Sequence, residues 1–195
     1  MTVILASKSA SRQAMLSAAG VAFEAIPAHI DERAVEAGLA GRPPEEVVRM
    51  LAIEKALAIS TRNEDRLVLG SDSLIVVDGR RFDKPTSRDD AAEHLRFFSG
   101  REMHLHSAAA LVRRGAVQTA FVDRAVLHVR PLSEDFIARY LEAEWPEVGH
   151  CVGVFRMEGL GVQMFDFVEG DYFSILGMPL LKVLAGLRQF GELPA

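Results

Sequence analysis

Short apolar runs alternate with helical patterns through the first third of the chain, and this order constrains the fold more than any other feature. Val3–Ala6 predicts a strand, Arg12–Ala19 predicts a helix, and Phe23–Ile26 predicts a second strand. A longer helix is predicted over Glu45–Ile59, ahead of the apolar run that begins at Leu67. Strands that alternate with helices in this way are typical of an α/β protein.

Lys55 is the unusual residue of the predicted helix Glu45–Ile59. It falls on the apolar stripe of that helix, where a solvated face would not place a charged side chain. We therefore expect its amine to point at an anionic group. The preceding stretch, residues 27–41, is predicted to be irregular or weakly helical and carries the acidic residue Glu32.

Asp72 lies inside an apolar region. Leu67–Leu69 and Leu74–Val77 predict one strand interrupted by the small polar step GSDS, and Asp72 belongs to that step. An ionised carboxylate between apolar residues is costly unless it is paired, hydrogen-bonded or bound to a metal. A structural ion pair and a catalytic or metal-binding role are both open at this point.

The rest of the chain predicts a mixed sheet. An Asp78-Gly79 turn predicts a hairpin into Arg80–Phe82. The long extended runs Met103–Val112 and Ala116–Val129 favour an antiparallel pair over another helical crossover. Further elements are predicted as helices after Ser87 and Ser133, a strand over Val162–Val168 and a final helix over Pro179–Phe190.

Composition excludes several classes of protein. With 22 basic and 27 acidic residues among 195, the net charge is −5, which argues against a protein whose main task is to bind nucleic acid or anionic lipid. Hydrophobic residues make up 49%, as in an ordinary globular protein, and we predict a single domain over residues 1–195. The one cysteine, Cys151, allows no disulfide within the chain and fits a cytoplasmic protein. No run approaches the roughly 18 apolar residues of a membrane helix.

The segment SKSASR at residues 7–12 is a candidate anion site. It joins a predicted strand to a predicted helix, and free backbone amides at a helix start attract anions. Ser7 adds a hydroxyl donor, and Arg12 offers a planar fork for phosphate oxygens. Simple helix capping explains the serines equally well. Because neither GxxxxGK[ST] nor GxGxxG occurs here, a P-loop and a dinucleotide fingerprint are not supported.

Asp72 has candidate partners that suit a metal-bridged polyphosphate. Two acids and two lysines lie beside predicted turns or strand ends: Glu32, Asp83, Lys55 and Lys84. Carboxylates bind hard divalent ions through oxygen, while lysines balance the charge on phosphate oxygens during hydrolysis. Glu158, in the loop FRMEGLG, is a further candidate for contact with a base edge or a metal, or is simply a solvated loop residue.

Several motifs, in order along nearly the whole chain, together resemble one known family. They are ILASKSASR at the amino terminus, IDE at 30–32, EKA at 54–56, VLGSDS at 68–73, DKP at 83–85, MEGLG at 157–161 and EGDYFSILGMPL at 169–180. This set resembles the Maf-like nucleoside triphosphate pyrophosphatases. The resemblance implies hydrolysis between the α- and β-phosphates with a divalent cation, Mg²⁺ or Mn²⁺, and house-cleaning of modified or noncanonical nucleotides. It also implies an elongated mixed sheet flanked by helices, two lobes with a central cleft as in the inosine triphosphatase family, and often a homodimer.

The resemblance also assigns roles to residues of this chain. It implies that Asp72 is the catalytic proton acceptor. Our mechanism hypothesis is that Asp72 and Glu32 position the metal and the attacking water, and whether Asp72 takes the proton or chiefly holds the ion is open. Substrate contacts are implied for Ser7, Arg12, Lys55 and Lys84, and three positions that bear on the base are Ser11, Ser73 and Glu158. At these three positions the chain matches neither the dTTP and UTP type nor the 7-methyl-GTP type of the family, so the base preference is open. The family's usual proline in the first loop is replaced here by Ala10.

Two other functions are compatible with the same residues. A nucleotide-binding regulator of cell division or septum formation would bind triphosphates with little turnover, and a generic phosphatase would release orthophosphate. The acids and lysines together favour turnover, because affinity alone does not need a carboxylate that activates water.

Overall fold

The computed structural model describes residues 2–194, which contain a seven-stranded sheet flanked by helices. The strands are β1 (Val3–Leu5), β2 (Phe23–Ala25), β3 (Val68–Val77), β4 (Arg80–Phe82), β5 (Glu102–Arg113), β6 (Ala116–Val129) and β7 (Phe165–Glu169). The α-helices are α1 (Ala10–Ala18), α2 (Glu32–Ala37), α3 (Pro44–Ser60), α4 (Arg88–Phe98), α5 (Glu134–Glu144), α6 (Tyr172–Ile175) and α7 (Leu180–Gln189). Two short 3-10 helices cover Glu147–His150 and Leu160–Met164.

The strand order is β2-β1-β3-β5-β6-β7, and β4 pairs with β3 beside this path. β1 is parallel to both β2 and β3, whereas β3 with β4 and β6 with β7 are antiparallel pairs. The predicted α/β class and mixed sheet are therefore confirmed. Among the described residues no helix is long and apolar enough to span a membrane.

The chain divides into two compact units. The first comprises the chain up to Ser73, His106–Asp123 and the chain from Asp171 onward, and the second comprises Leu74–Leu105 and Arg124–Gly170. Each unit is described by itself below. The single domain over residues 1–195 and the cleft between two lobes stay predictions.

Helices cover both faces of the sheet within the first unit, because successive strand residues point to opposite faces. On one face, β1 and β3 pack against α1 and α7 in a cluster that includes Val3, Leu5, Leu69, Met15, Leu16, Val183 and Leu187. On the other face they pack against α3 in a cluster that includes Ile4, Ala6, Val68 and Ala56. The first unit thus has an α-β-α layering around β1 and β3.

Turn and cap signals in the sequence correspond to observed features. Ser87 accepts a hydrogen bond from the Asp90 amide at the start of α4, and Ser133 caps α5 in the same way. Two-residue turns with positive φ join β3 to β4 at Asp78-Gly79 and β5 to β6 at Arg114-Gly115. Turns of this kind match the twist of antiparallel hairpins, which is why the local sequence predicts them.

Two predicted elements differ from the structure. The step GSDS does not interrupt its strand, since β3 runs continuously over Val68–Val77. The stretch 27–41, predicted to be irregular or weakly helical, contains the short helix α2 and agrees with its prediction. The predicted strand Val162–Val168 was wrong at its start, where the chain forms a 3-10 helix and strand pairing with β6 begins only at Phe165. At this point the chain folds back on itself, and a Cβ on Gly161 would lie 2.6 Å from backbone atoms of Arg156.

Candidate active site

The candidate site of the first unit forms where three neighbouring parallel strands present their carboxyl ends. Ser7 and Arg12 follow β1, and Glu32 follows β2. β3 continues past Leu69, the last residue paired with β1, and so carries Asp72 beyond the end of that strand. Ligands of open α/β sheets bind at such an edge, because polar side chains from different strands converge there.

Lys55 bridges the two acidic residues of the site. Its Nζ lies 2.9 Å from Asp72 Oδ1 and 2.9 Å from Glu32 Oε1. The Lys55 and Asp72 side chains are 11% and 13% exposed, whereas that of Glu32 is 50% exposed. The expectation that the Lys55 amine points at an anionic group is confirmed, and the lysine compensates the cost of burying the Asp72 carboxylate.

The two carboxylates fit a divalent cation only in partnership with a ligand. Among residues 2–194 no group of three or more histidine, cysteine, aspartate or glutamate side chains is placed to hold a metal ion. Lys55 contacts one oxygen each of Asp72 and Glu32. Mg²⁺ is commonly bound by one or two carboxylates together with substrate phosphates and water, so the donor chemistry of this pair suits that ion.

Arg12 lies in the first turn of α1 and is committed to three partners. Its Nη1 donates to Ser7 Oγ at 3.3 Å, its Nη2 to Ser73 Oγ at 3.0 Å and its Nε to the Gly177 carbonyl at 2.9 Å. Burial lowers the pKa of Arg12, while the charges of Asp72 and Glu32 act to raise it. Arginine keeps its proton in proteins, so a buried cation lies within the field of both carboxylates.

Ser11 and Ser73, the two serines of the first unit at positions that bear on the base, contact backbone carbonyls. Ser11 Oγ donates to the Leu176 carbonyl at 2.9 Å, and Ser73 Oγ lies 2.9 Å from the Gly177 carbonyl. Sequence reasoning missed two buried serines of the same cluster, Ser71 and Ser107. Ser71 and Ser73 flank Asp72 in the motif SDS, and that alternation was the available signal.

Lys84 and Glu158 belong to the second unit, where the charges of both side chains affect the pKa of the Cys151 thiol. Burial raises the pKa of Cys151, the Glu158 carboxylate raises it further, and Lys84 lowers it. Glu158 Oε1 also lies 4.0 Å from Arg156 Nε. Asp83, likewise in this unit, is 77% exposed and pairs with Arg81. The structure thus brings Lys84 and Glu158 to one region, while their contact with a substrate stays a prediction.

A family model described as Maf-like protein matches residues 2–190. The chain belongs to the Maf-like family. Among the relatives of this Maf-like chain, a protein of Nitrobacter hamburgensis named nucleoside triphosphate pyrophosphatase is 50% identical over 191 residues, covering 98% of this chain and 95% of that protein. A protein of Rhizobium etli named 7-methyl-GTP pyrophosphatase is 48% identical over 193 residues, covering 98% and 97%.

Solved structures resemble the Maf-like chain less closely. A HAM1 protein from Coxiella burnetii matches with a TM-score of 0.43 and 17% identity, covering 66% of this chain and 73% of that one.

Proposed function

We propose that this Maf-like protein is a nucleoside triphosphate pyrophosphatase, which hydrolyses the bond between the α- and β-phosphates to give a nucleoside monophosphate and pyrophosphate. The observation that carries the proposal is the Glu32–Lys55–Asp72 group, in which a lysine holds two carboxylates at the carboxyl edge of parallel strands. Two full-length relatives named as pyrophosphatases support the same reaction.

The carboxylates of Asp72 and Glu32 would hold the divalent cation, which when bound polarises phosphate oxygens and balances their charge. Asp72 takes the proton of the attacking water, and Lys55 fixes the orientation of that carboxylate through Oδ1. Because Lys55 touches both acids, it keeps two negative groups close together before the substrate arrives.

The remaining residues bind the triphosphate in this proposal. Ser7 and the amides at the start of α1 bind phosphate oxygens. Arg12 contributes its positive field, since three of its N–H groups already have protein partners. Substrate contacts of Lys84 and Glu158, which belong to the second unit, stay predictions from the sequence. A house-cleaning role toward modified nucleotides, a cytoplasmic location and a homodimer stay predictions from the sequence.

The test is product analysis with and without metal. Purified protein is incubated with Mg²⁺, Mn²⁺ or no divalent ion against canonical and modified nucleoside triphosphates, and monophosphate, pyrophosphate and orthophosphate are resolved by chromatography. Metal-dependent monophosphate plus pyrophosphate is expected. Orthophosphate as the only inorganic product would make the protein a phosphatase, and binding without turnover would favour the regulator.

Asp72→Asn is the decisive variant in that assay. The amide keeps the shape of the side chain but cannot accept a proton as a base, so turnover should fall by roughly 100-fold or more. Asp65→Asn is the matched control, because Asp65 is an exposed aspartate of the same unit with a side chain 91% exposed. An Asp72→Asn protein with full turnover would refute the role given to Asp72.

A further inference from the structure

Asp72 is flanked on β3 by two serines whose hydroxyls make hydrogen bonds on the other face of the strand. Side chains alternate along a strand, so Ser71 and Ser73 point away from the face that carries Asp72. Ser71 Oγ donates to the Ala108 carbonyl at 2.8 Å, and Ser73 Oγ lies 2.9 Å from the Gly177 carbonyl. Both neighbours of Asp72 on the strand are therefore held in place by contacts of their hydroxyls.

The hydroxyl of Ser73 belongs to a connected chain of hydrogen bonds that starts at a cation. Arg12 Nη2 donates to Ser73 Oγ at 3.0 Å, Ser73 Oγ lies 3.0 Å from Ser107 Oγ, and Ser107 Oγ donates to the Ser174 carbonyl at 2.8 Å. Each hydroxyl has one proton to donate. Ser73 can therefore donate to Ser107 Oγ, while Arg12 Nε donates to the Gly177 carbonyl. Hydrogen bonds connected in this way polarise one another, so each is stronger than an isolated hydrogen bond.

The carbonyls that receive these bonds lie in the last turn of the short helix α6 and in the two residues that follow it. Ser174, Leu176 and Gly177 each accept a side-chain hydrogen bond, from Ser107, Ser11 and Arg12 respectively. The last carbonyls of a helix lack partners within the helix, and a cation is favourable beside them. The arrangement thus fixes the 174–177 turn to α1, β3 and β5.

We propose that Ser73 is a positioning residue that acts through β3. It accepts from Arg12, which also donates to the Gly177 carbonyl, and it donates to Ser107. These bonds, with that of Ser71 to the Ala108 carbonyl, hold the strand so that Asp72 meets Lys55. This inference rests on the proposed function for its catalytic consequence, but the geometry it concerns is that of the free protein. Asp72 and Lys55 are in contact at 2.9 Å, and a small rotation of the strand segment would separate them. Groups that orient a catalytic or ligating carboxylate typically contribute 10- to 100-fold to its action, an order-of-magnitude figure.

Lys55 reports the position of Asp72 independently of turnover. Its amine contacts two carboxylates and its side chain is 11% exposed, so the amine should react slowly with an acetylating reagent. The chain has only four lysines, and exposed Lys8 serves as an internal reference in the same mass spectrum. Loss of the Asp72 contact would raise the acetylation rate at Lys55 relative to Lys8.

The experiment compares Ser73→Ala, Ser73→Thr and Ser60→Ala in the full chain. Ser60, the last residue of α3, is the control, because its hydroxyl is buried in the same unit but accepts from the Gly115 amide and takes no part in the Ser73 chain. Threonine keeps the hydroxyl and suits a strand. Each protein is measured for acetylation at Lys55 and for kcat and KM on the best triphosphate.

We expect Ser73→Ala to raise Lys55 acetylation several-fold and to lower kcat roughly 10- to 100-fold with little change in KM. Ser73→Thr should restore both properties, and Ser60→Ala should match the wild type. If Ser73→Ala leaves Lys55 protected, or if Ser60→Ala produces the same changes, the positioning role is wrong. Should Ser73→Ala fail to fold, Ser71→Ala gives the same readouts with one hydrogen bond lost.

The two proposals fail in distinguishable ways. A wild-type protein that hydrolyses no triphosphate contradicts the proposed function, yet the acetylation of Lys55 still decides whether Ser73 positions Asp72. A Ser73→Ala protein in which Lys55 stays protected would overturn the inference alone, because the wild type would still hydrolyse triphosphates. Exposed Lys55 with unchanged kcat would instead contradict the catalytic role given to Asp72.

Discussion

Gly70 of β3 lies directly against Ala52 of α3. A Cβ on Gly70 would be 2.1 Å from the Ala52 carbonyl oxygen and 2.8 Å from the Ala56 amide nitrogen. No side chain can occupy that space without moving backbone. The contact brings α3 onto the face of β3 that carries Asp72, and Lys55 of α3 reaches the carboxylate as a result.

Gly70→Ala should therefore separate helix from strand. We expect a loss of about 3 kcal/mol in the free energy of unfolding, because the added methyl group meets backbone rather than a flexible side chain. Unfolding in denaturant measures this loss of stability. Gly38→Ala is the control, since Gly38 ends α2 with a nearest contact of 3.4 Å. Equal stability of the two variants would show that the approach at Gly70 is not tight.

Lys55 and Asp72 should be energetically coupled. Lys55→Met leaves the mostly buried Asp72 carboxylate without its counterion, so stability should fall by about 3 kcal/mol at pH 7. The double variant Lys55→Met, Asp72→Asn should lose much less than the sum of the single variants, because both members of the pair are then neutral and neither leaves the other without its counterion. A double-mutant cycle from chemical denaturation tests this. Strictly additive losses would contradict the pairing.

His94 of the second unit should make the protein sensitive to acid. Burial among aromatic rings lowers the pKa of His94 below its ordinary 6.5, although Asp90 opposes the shift. As pH falls below about 6.5, the unfolded chain takes up a proton at this position before the folded protein does, so stability is lost. Melting temperature at pH 7.5 and 5 should drop less for His94→Gln than for wild type. The exposed His29 provides the control variant, His29→Gln, which should follow the wild type.

Cys151 should react slowly in the folded protein. Burial and Glu158 raise the pKa of its thiol, so little thiolate is present near neutral pH. Modification by a disulfide reagent at pH 8 should be faster for Glu158→Gln and slower for Lys84→Met, because Lys84 lowers the pKa. In unfolded protein the three thiol modification rates should be the same. Identical folded-state rates in all three proteins would show that neither charge lies near the thiol.

Local sequence was sufficient for the elements whose signals are local. The alternation of apolar runs and helical stripes predicts the strands and helices of the first unit, and serine caps predict the starts of α4 and α5. The charge of Lys55 on an apolar stripe predicts an anionic partner, because burying an amine without one is costly. Spacing did not specify which acid this would be, and the structure shows that Lys55 contacts both Glu32 and Asp72.

By itself, the sequence determined the α/β class, the turns and the residue types of the site, since helical and strand periodicities, caps and glycine turns act over a few neighbouring residues. Tertiary structure alone decided the partners of Arg12 and the buried serines. Arg12 and Gly177 are 165 positions apart, and no local pattern encodes a hydrogen bond between them. Such bonds exist only after β1 and β3 pair and the last helices pack on α1, because packing then leaves each buried donor with only the acceptors beside it.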